Sequence, residues 1–152
     1  MQTDQYARTA YQMKPFDPQL YAENDERGRT AVKNWLVNRG CRVEDFFQYD
    51  VDLIVKKGNR WICFVEVEVR SWDECRYSTI HIAKRKEKLL DNAMPTFMFV
   101  CGGSLRVGYF CPSRAVLTSP VVNVPNKHMA QELFYDVPIS RFTKIDLLNK
   151  SY

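Results

Sequence analysis

Histidine is scarce, with two residues in 152, and the five cysteines at 41, 63, 75, 101 and 111 include no Cys-x-x-Cys pair. That pattern argues against a zinc site or a disulfide framework. The cysteines sit mostly in apolar runs, where a free thiol behaves as a small hydrophobe, so a reduced set is expected. His81 and His128 each stand alone and read as surface or packing residues. No Gly-x-Ser-x-Gly and no phosphate-cradling Gly-rich loop is present, which sets aside serine-nucleophile and P-loop chemistry. The opening Met-Gln-Thr-Asp-Gln-Tyr lacks the basic-then-apolar order of a signal peptide. Apolar runs are too short to span a bilayer. A soluble, intracellular protein is expected, with no membrane partner and no small-molecule cofactor.

What is present points to one folded domain: 45% hydrophobic and 13% aromatic residues in a chain long enough to bury a core. The net charge of +4 permits nucleic-acid binding without requiring it. Residues 1–20 read as an N-terminal arm interrupted by Pro15 and Pro18, 23–111 as the core and 112–152 as a C-terminal extension. Ala31, Val32, Trp35, Leu36 and Arg39 recur at helical steps, predicting a helix over 23–39 that stops at Gly40. A second helix is predicted near 80–90, carrying the run Lys84-Arg85-Lys86-Glu87-Lys88, the densest basic cluster. Thr96–Cys101 reads as a buried central strand, Gly102-Gly103 as a turn, and 106–110, 121–124 and 132–138 as further strands. A closing helical turn is expected at 145–148. This order predicts an α/β fold with a mixed sheet flanked by helices.

The chemistry concentrates in two runs, Tyr49-Asp50-Val51-Asp52-Leu53-Ile54-Val55 and Phe64-Val65-Glu66-Val67-Glu68-Val69-Arg70. The polar Lys56-Lys57-Gly58-Asn59-Arg60 between them makes a β-hairpin. A three-residue loop at Gly58 to Arg60 would set Asp52 opposite Glu66 and Asp50 opposite Glu68. All four carboxylates would share one face, and Val51, Leu53, Val55, Cys63, Val65, Val67 and Val69 the other. Like charges facing across a hairpin repel, unless a divalent cation turns repulsion into ligation. Asp52 and Glu66, with the carbonyl of Val67 between them, are the candidate ligands of Mg²⁺ or Mn²⁺. Glu68 would complete the site, while Asp50 reads as a solvated flanking charge. The bland alternative is an exposed polar face of an edge hairpin. Against it, Ile62 and Phe64 lie on the carboxylate face, and unpartnered buried carboxylates are costly.

Asp52 followed fourteen positions later by Glu66-Val67-Glu68 resembles the PD-(D/E)XK nuclease superfamily. The helix ending in Asn38-Arg39-Gly40, with Val51-Asp52-Leu53-Ile54 and Trp61-Ile62-Cys63-Phe64-Val65-Glu66-Val67, is similar in layout to Holliday-junction-resolvase-like members. The resemblance covers roughly residues 23–101. It implies a restriction-endonuclease-like core and a Mg²⁺-dependent DNA endonuclease that hydrolyses phosphodiester bonds, with a homodimer expected by analogy. The family's motif lysine is Glu68 here, and the resemblance implies that Lys86 or Arg85 takes over its cationic role. A helical glutamate of relatives would fall at Arg29, so Glu26, one turn earlier, is carried over as a candidate. The implied grip on the DNA backbone comes from Lys84, Arg85, Lys86, Lys88 and Arg70. The rival expectation is a catalytically inactive nucleic-acid-binding or protein-interaction module on the same fold.

Overall fold

The computed structural model of the chain describes residues 18–46, 51–125 and 131–149, without the side chains of 18–25. Helix α1 (Pro18–Val37) starts five residues earlier than the sequence predicts. Pro18 opens the helix instead of interrupting it, because the first helical position needs no N–H. At the other end Gly40, at φ +86°, lets the Cys41 N–H return 3.1 Å to the Leu36 carbonyl, the expected stop.

Strands β1 (Arg42–Asp45), β2 (Leu53–Lys57), β3 (Arg60–Val69), β5 (Thr96–Cys101), β6 (Val107–Pro112) and β9 (Thr143–Asp146) form a six-stranded sheet in the order β1-β2-β3-β5-β6-β9. The β3–β5 pair is parallel and the other neighbours are antiparallel, so the sheet is mixed. A three-stranded sheet, β4 (Thr79–Ala83), β8 (Leu133–Pro138) and β7 (Val121–Asn123), packs over its other face. With it lie the short helices α2 (Glu87–Leu90) and α3 (Ser113–Leu117).

Two clusters hold these layers together. Val32 and Trp35 of α1 meet Leu53, Val55, Cys63, Val65 and Val67, the apolar face predicted for the hairpin. Val51 departs from that face and packs with Phe46 and Ile54. On the far side Met98 and Val100 meet Ile80, Ile82, Tyr135 and Val137. All five cysteines are free thiols.

Three predicted elements are corrected. The helix near 80–90 is a strand, then a 3₁₀ turn at Lys84–Lys86 and a single helical turn. Ile80 and Ile82 alternate with His81, and the two isoleucines bury against β8, so the period of two prevails over the helical one. The closing helical turn expected at 145–148 is instead the end of β9, which pairs with β6 through Gly108 and Ile145, followed by a non-helical turn at Leu147 and Leu148. The hairpin turn has two central residues, Gly58 and Asn59, because Lys57 pairs Arg60. One extra residue, Ile62, lies between Trp61 opposite Lys56 and Cys63 opposite Val55. That bulge restores the offset a three-residue loop would have produced, so Leu53 faces Val65 as predicted.

Candidate active site

The ladder between β2 and β3 ends at Leu53, but β3 continues through Val69. Asp52 takes over where the ladder stops: its Oδ2 accepts the Val67 N–H at 2.7 Å. In an extended strand the N–H and C=O of one residue point to the same edge, so the Val67 carbonyl leaves β3 on the Asp52 side. Glu66 and Glu68 stand beside Met98 and Val100 of β5, and thus face the layer that carries the smaller sheet.

From that layer the 3₁₀ turn sends in Lys86. Its Nζ lies 3.4 Å from Glu66 Oε1 and 3.2 Å from Glu68 Oε1. Arg70 Nη2 donates to Glu68 Oε2 at 2.8 Å and also to the His81 carbonyl. Arg29 Nη1 is 3.9 Å from Asp52 Oδ1. Its approach depends on Gly28, where an added Cβ would fall 2.5 Å from Val69 Cγ2, so α1 can cross β3 this closely only with glycine. Three carboxylates thus face three cations.

The two glutamates titrate in opposite directions. Glu66 is 4% exposed. Burial pushes its carboxyl well above the ordinary range; Lys86 opposes this and the nearby Asp52 carboxylate reinforces it. For Glu68 burial also acts upward, but Lys86 and Arg70 together outweigh it and hold the carboxyl at about 2. Glu66 Oε2 is buried and receives no hydrogen bond from an N–H or hydroxyl, while the Asp52 carboxyl lies within hydrogen-bonding reach of the same group. An acceptor oxygen left this way, beside a second carboxylate, fits the hard-oxygen donor set of a Mg²⁺ site, which needs only one or two carboxylates. Among the described residues, no group of three or more His, Cys, Asp or Glu side chains is arranged to hold a metal ion.

Asp52, Glu66, Val67, Glu68, Lys86 and Arg70 therefore come together. Arg85 turns away to Glu132, at 3.4 Å, and Lys84 pairs with Glu87 at 2.8 Å. Lys88 is exposed. Glu26 is exposed and lines a groove with Asn38, Leu105 and Leu148. Asp50 and His128 lie outside the described residues, whereas His81 Nε2 sits 3.1 Å from Asp136 Oδ1. Sequence reasoning missed Arg29 as the partner of Asp52. Its signal was present: a basic residue after a glycine, in the helical slot where a carboxylate was sought.

No family model and no curated protein matches the chain. Among solved structures it is similar to a bacterial homing endonuclease, at 14% identity and a TM-score of 0.47, over 70% of this chain and 78% of that one. No helix among the described residues is long and apolar enough to cross a membrane.

Proposed function

We propose that the chain is a Mg²⁺- or Mn²⁺-dependent endonuclease with a restriction-endonuclease-like core, hydrolysing phosphodiester bonds in DNA. The observation that carries this reading is the buried Glu66 Oε2, which no N–H or hydroxyl meets, set against the Asp52 carboxyl at the end of the hairpin. Asp52, Glu66 and the Val67 carbonyl would hold the ion. When bound, it would stabilise charge on the phosphate and acidify a water.

The chain's own groups supply the rest. Glu68, kept ionised by Lys86 and Arg70, is an acceptor able to orient a water that the ion acidifies, and at about 2 it is too weak a base to take the proton unaided. The Lys86 ammonium occupies the cationic role of the missing motif lysine and donates to a phosphate oxygen. Arg29 holds Asp52 in place, and Arg70 fixes the second oxygen of Glu68.

The test is nicking and cleavage of plasmid, branched and single-stranded DNA with Mg²⁺ or Mn²⁺. Asp52→Ala and Glu66→Ala should each lower the metal-dependent rate at least a hundredfold. No metal-dependent cleavage on any substrate would overturn the enzymatic reading. One observation favours the rival, a non-catalytic binding module: the three carboxylates are already matched by three cations of the same chain. Calorimetric titration separates the two, since the enzyme binds Mg²⁺ or Mn²⁺ and the Glu66→Ala variant does not.

A further inference from the structure

Between the carboxylate cluster and β4 lies a cavity of about 230 Å³ that the reading above leaves unused. Arg70, Trp72, Cys75, Tyr77, Thr79 and His81 line it. Arg70 belongs to both places, because Nη2 holds Glu68 while the same side chain forms the cavity wall. Nε and Nη1 of Arg70 make no hydrogen bond among the described residues.

The loop over this cavity is irregular yet held at many points. The Gly103 N–H donates to the Trp72 carbonyl at 2.8 Å, and the Ser104 N–H to Asp73 Oδ1 at 3.1 Å. The Cys75 N–H donates to the Tyr109 hydroxyl at 3.1 Å, and the Ile139 N–H to the Ser78 carbonyl at 2.8 Å. Gly102 sits so close that an added Cβ would fall 1.9 Å from the Asp73 carbonyl oxygen. On this fixed loop Tyr77 is 68% exposed. A largely exposed tyrosine on an anchored loop beside a cavity contributes little to folding, but its ring is a face on which a flat base can stack.

Size and chemistry narrow the occupant. The volume falls below the roughly 300–1,000 Å³ of pockets that take drug-sized ligands, so a single ring system suits it better than a dinucleotide. The lining offers guanidinium, hydroxyl and imidazole groups able to meet the edge of a nucleobase. We infer that this cavity receives one unpaired nucleobase of the DNA strand lying on the Glu66–Glu68 cluster, stacked on Tyr77 and met at its edge by Arg70. The inference rests on the proposed nucleic-acid function of that cluster and specifies its substrate as a strand with an unpaired nucleotide beside the contacted phosphate.

The experiment scans a single 2-aminopurine through a short single-stranded oligonucleotide bound to the full chain without divalent metal. Quenching should appear at one position for wild type and Tyr77→Phe, and disappear in Tyr77→Ala with about 5- to 150-fold weaker binding. Equal quenching at every position, or equal affinity in Tyr77→Ala, would overturn the inference while leaving metal-dependent cleavage to be judged separately. Position-specific quenching without cleavage of any substrate would uphold the cavity assignment and defeat the enzymatic reading.

Discussion

At the scale of single residues, Glu66 and Glu68 set opposite pH dependences on one strand. A carboxyl raised by burial adds stability below the unfolded glutamate range and loses it as pH rises through the folded value. Glu66 therefore weakens the metal-free protein toward neutral and alkaline pH. Glu68, held at about 2, stabilises at pH above the ordinary glutamate range, and that contribution fades as pH falls toward 2. Melting temperatures recorded from pH 5 to 8 without metal should fall more for wild type than for Glu66→Gln. Equal slopes would show that Glu66 is not the titrating group. Lys86 is the counter-ion common to both carboxylates, so Lys86→Ala leaves buried Glu66 without one and Glu68 with Arg70 alone, and should cost about 3–5 kcal/mol, read from denaturant unfolding. The same variant should gain a larger rise in melting temperature on adding Mn²⁺ than wild type, because the ion then meets Glu66 without a competing ammonium.

At the scale of elements, the site depends on a strand carrying a glutamate and a neighbouring turn carrying the lysine. If only the charge pattern matters, the two can trade places. Glu68→Lys alone sets two ammonium groups together and should lower cleavage at least tenfold, whereas Glu68→Lys combined with Lys86→Glu should recover much of the loss. Additive losses in the double variant would mean that each group acts from its own element. The helix contact is equally specific. Gly28→Ala forces a methyl against Val69 Cγ2, and such overpacking typically costs 1–3 kcal/mol. It also lifts Arg29 away from Asp52, so unfolding curves and the cleavage rate should fall together.

For the molecule as a whole, the basic run is less available than its density suggests. Lys84, Arg85, Lys86 and Arg70 each lie against a carboxylate of the same chain. Free cations release counterions from DNA; cations already paired release few. The logarithm of DNA affinity against that of salt should then have a slope of roughly −1 to −2, not the −4 to −5 that five free cations would give. Fluorescence anisotropy across a salt series measures it, and a steep slope would mean that these pairs open on binding.

The hairpin, its apolar face and the closeness of Asp52, Glu66 and Glu68 were legible in the residues, because alternation and turn composition act over a few positions. The register near the site was reached by a different route, since a bulge at Ile62 stands in for the longer loop. The basic segment was misread. Its charges mask the alternation of Ile80 and Ile82, and only pairing with β8, about fifty residues later, makes it a strand. The choice between Lys86 and Arg85 likewise awaited the fold, because neighbouring residues on a tight turn point in different directions. Local patterning by itself determined which side chains could do chemistry. Tertiary packing alone decided which cation meets them, that Arg29 holds Asp52, and that a cavity opens beside Arg70, since each depends on segments distant in sequence.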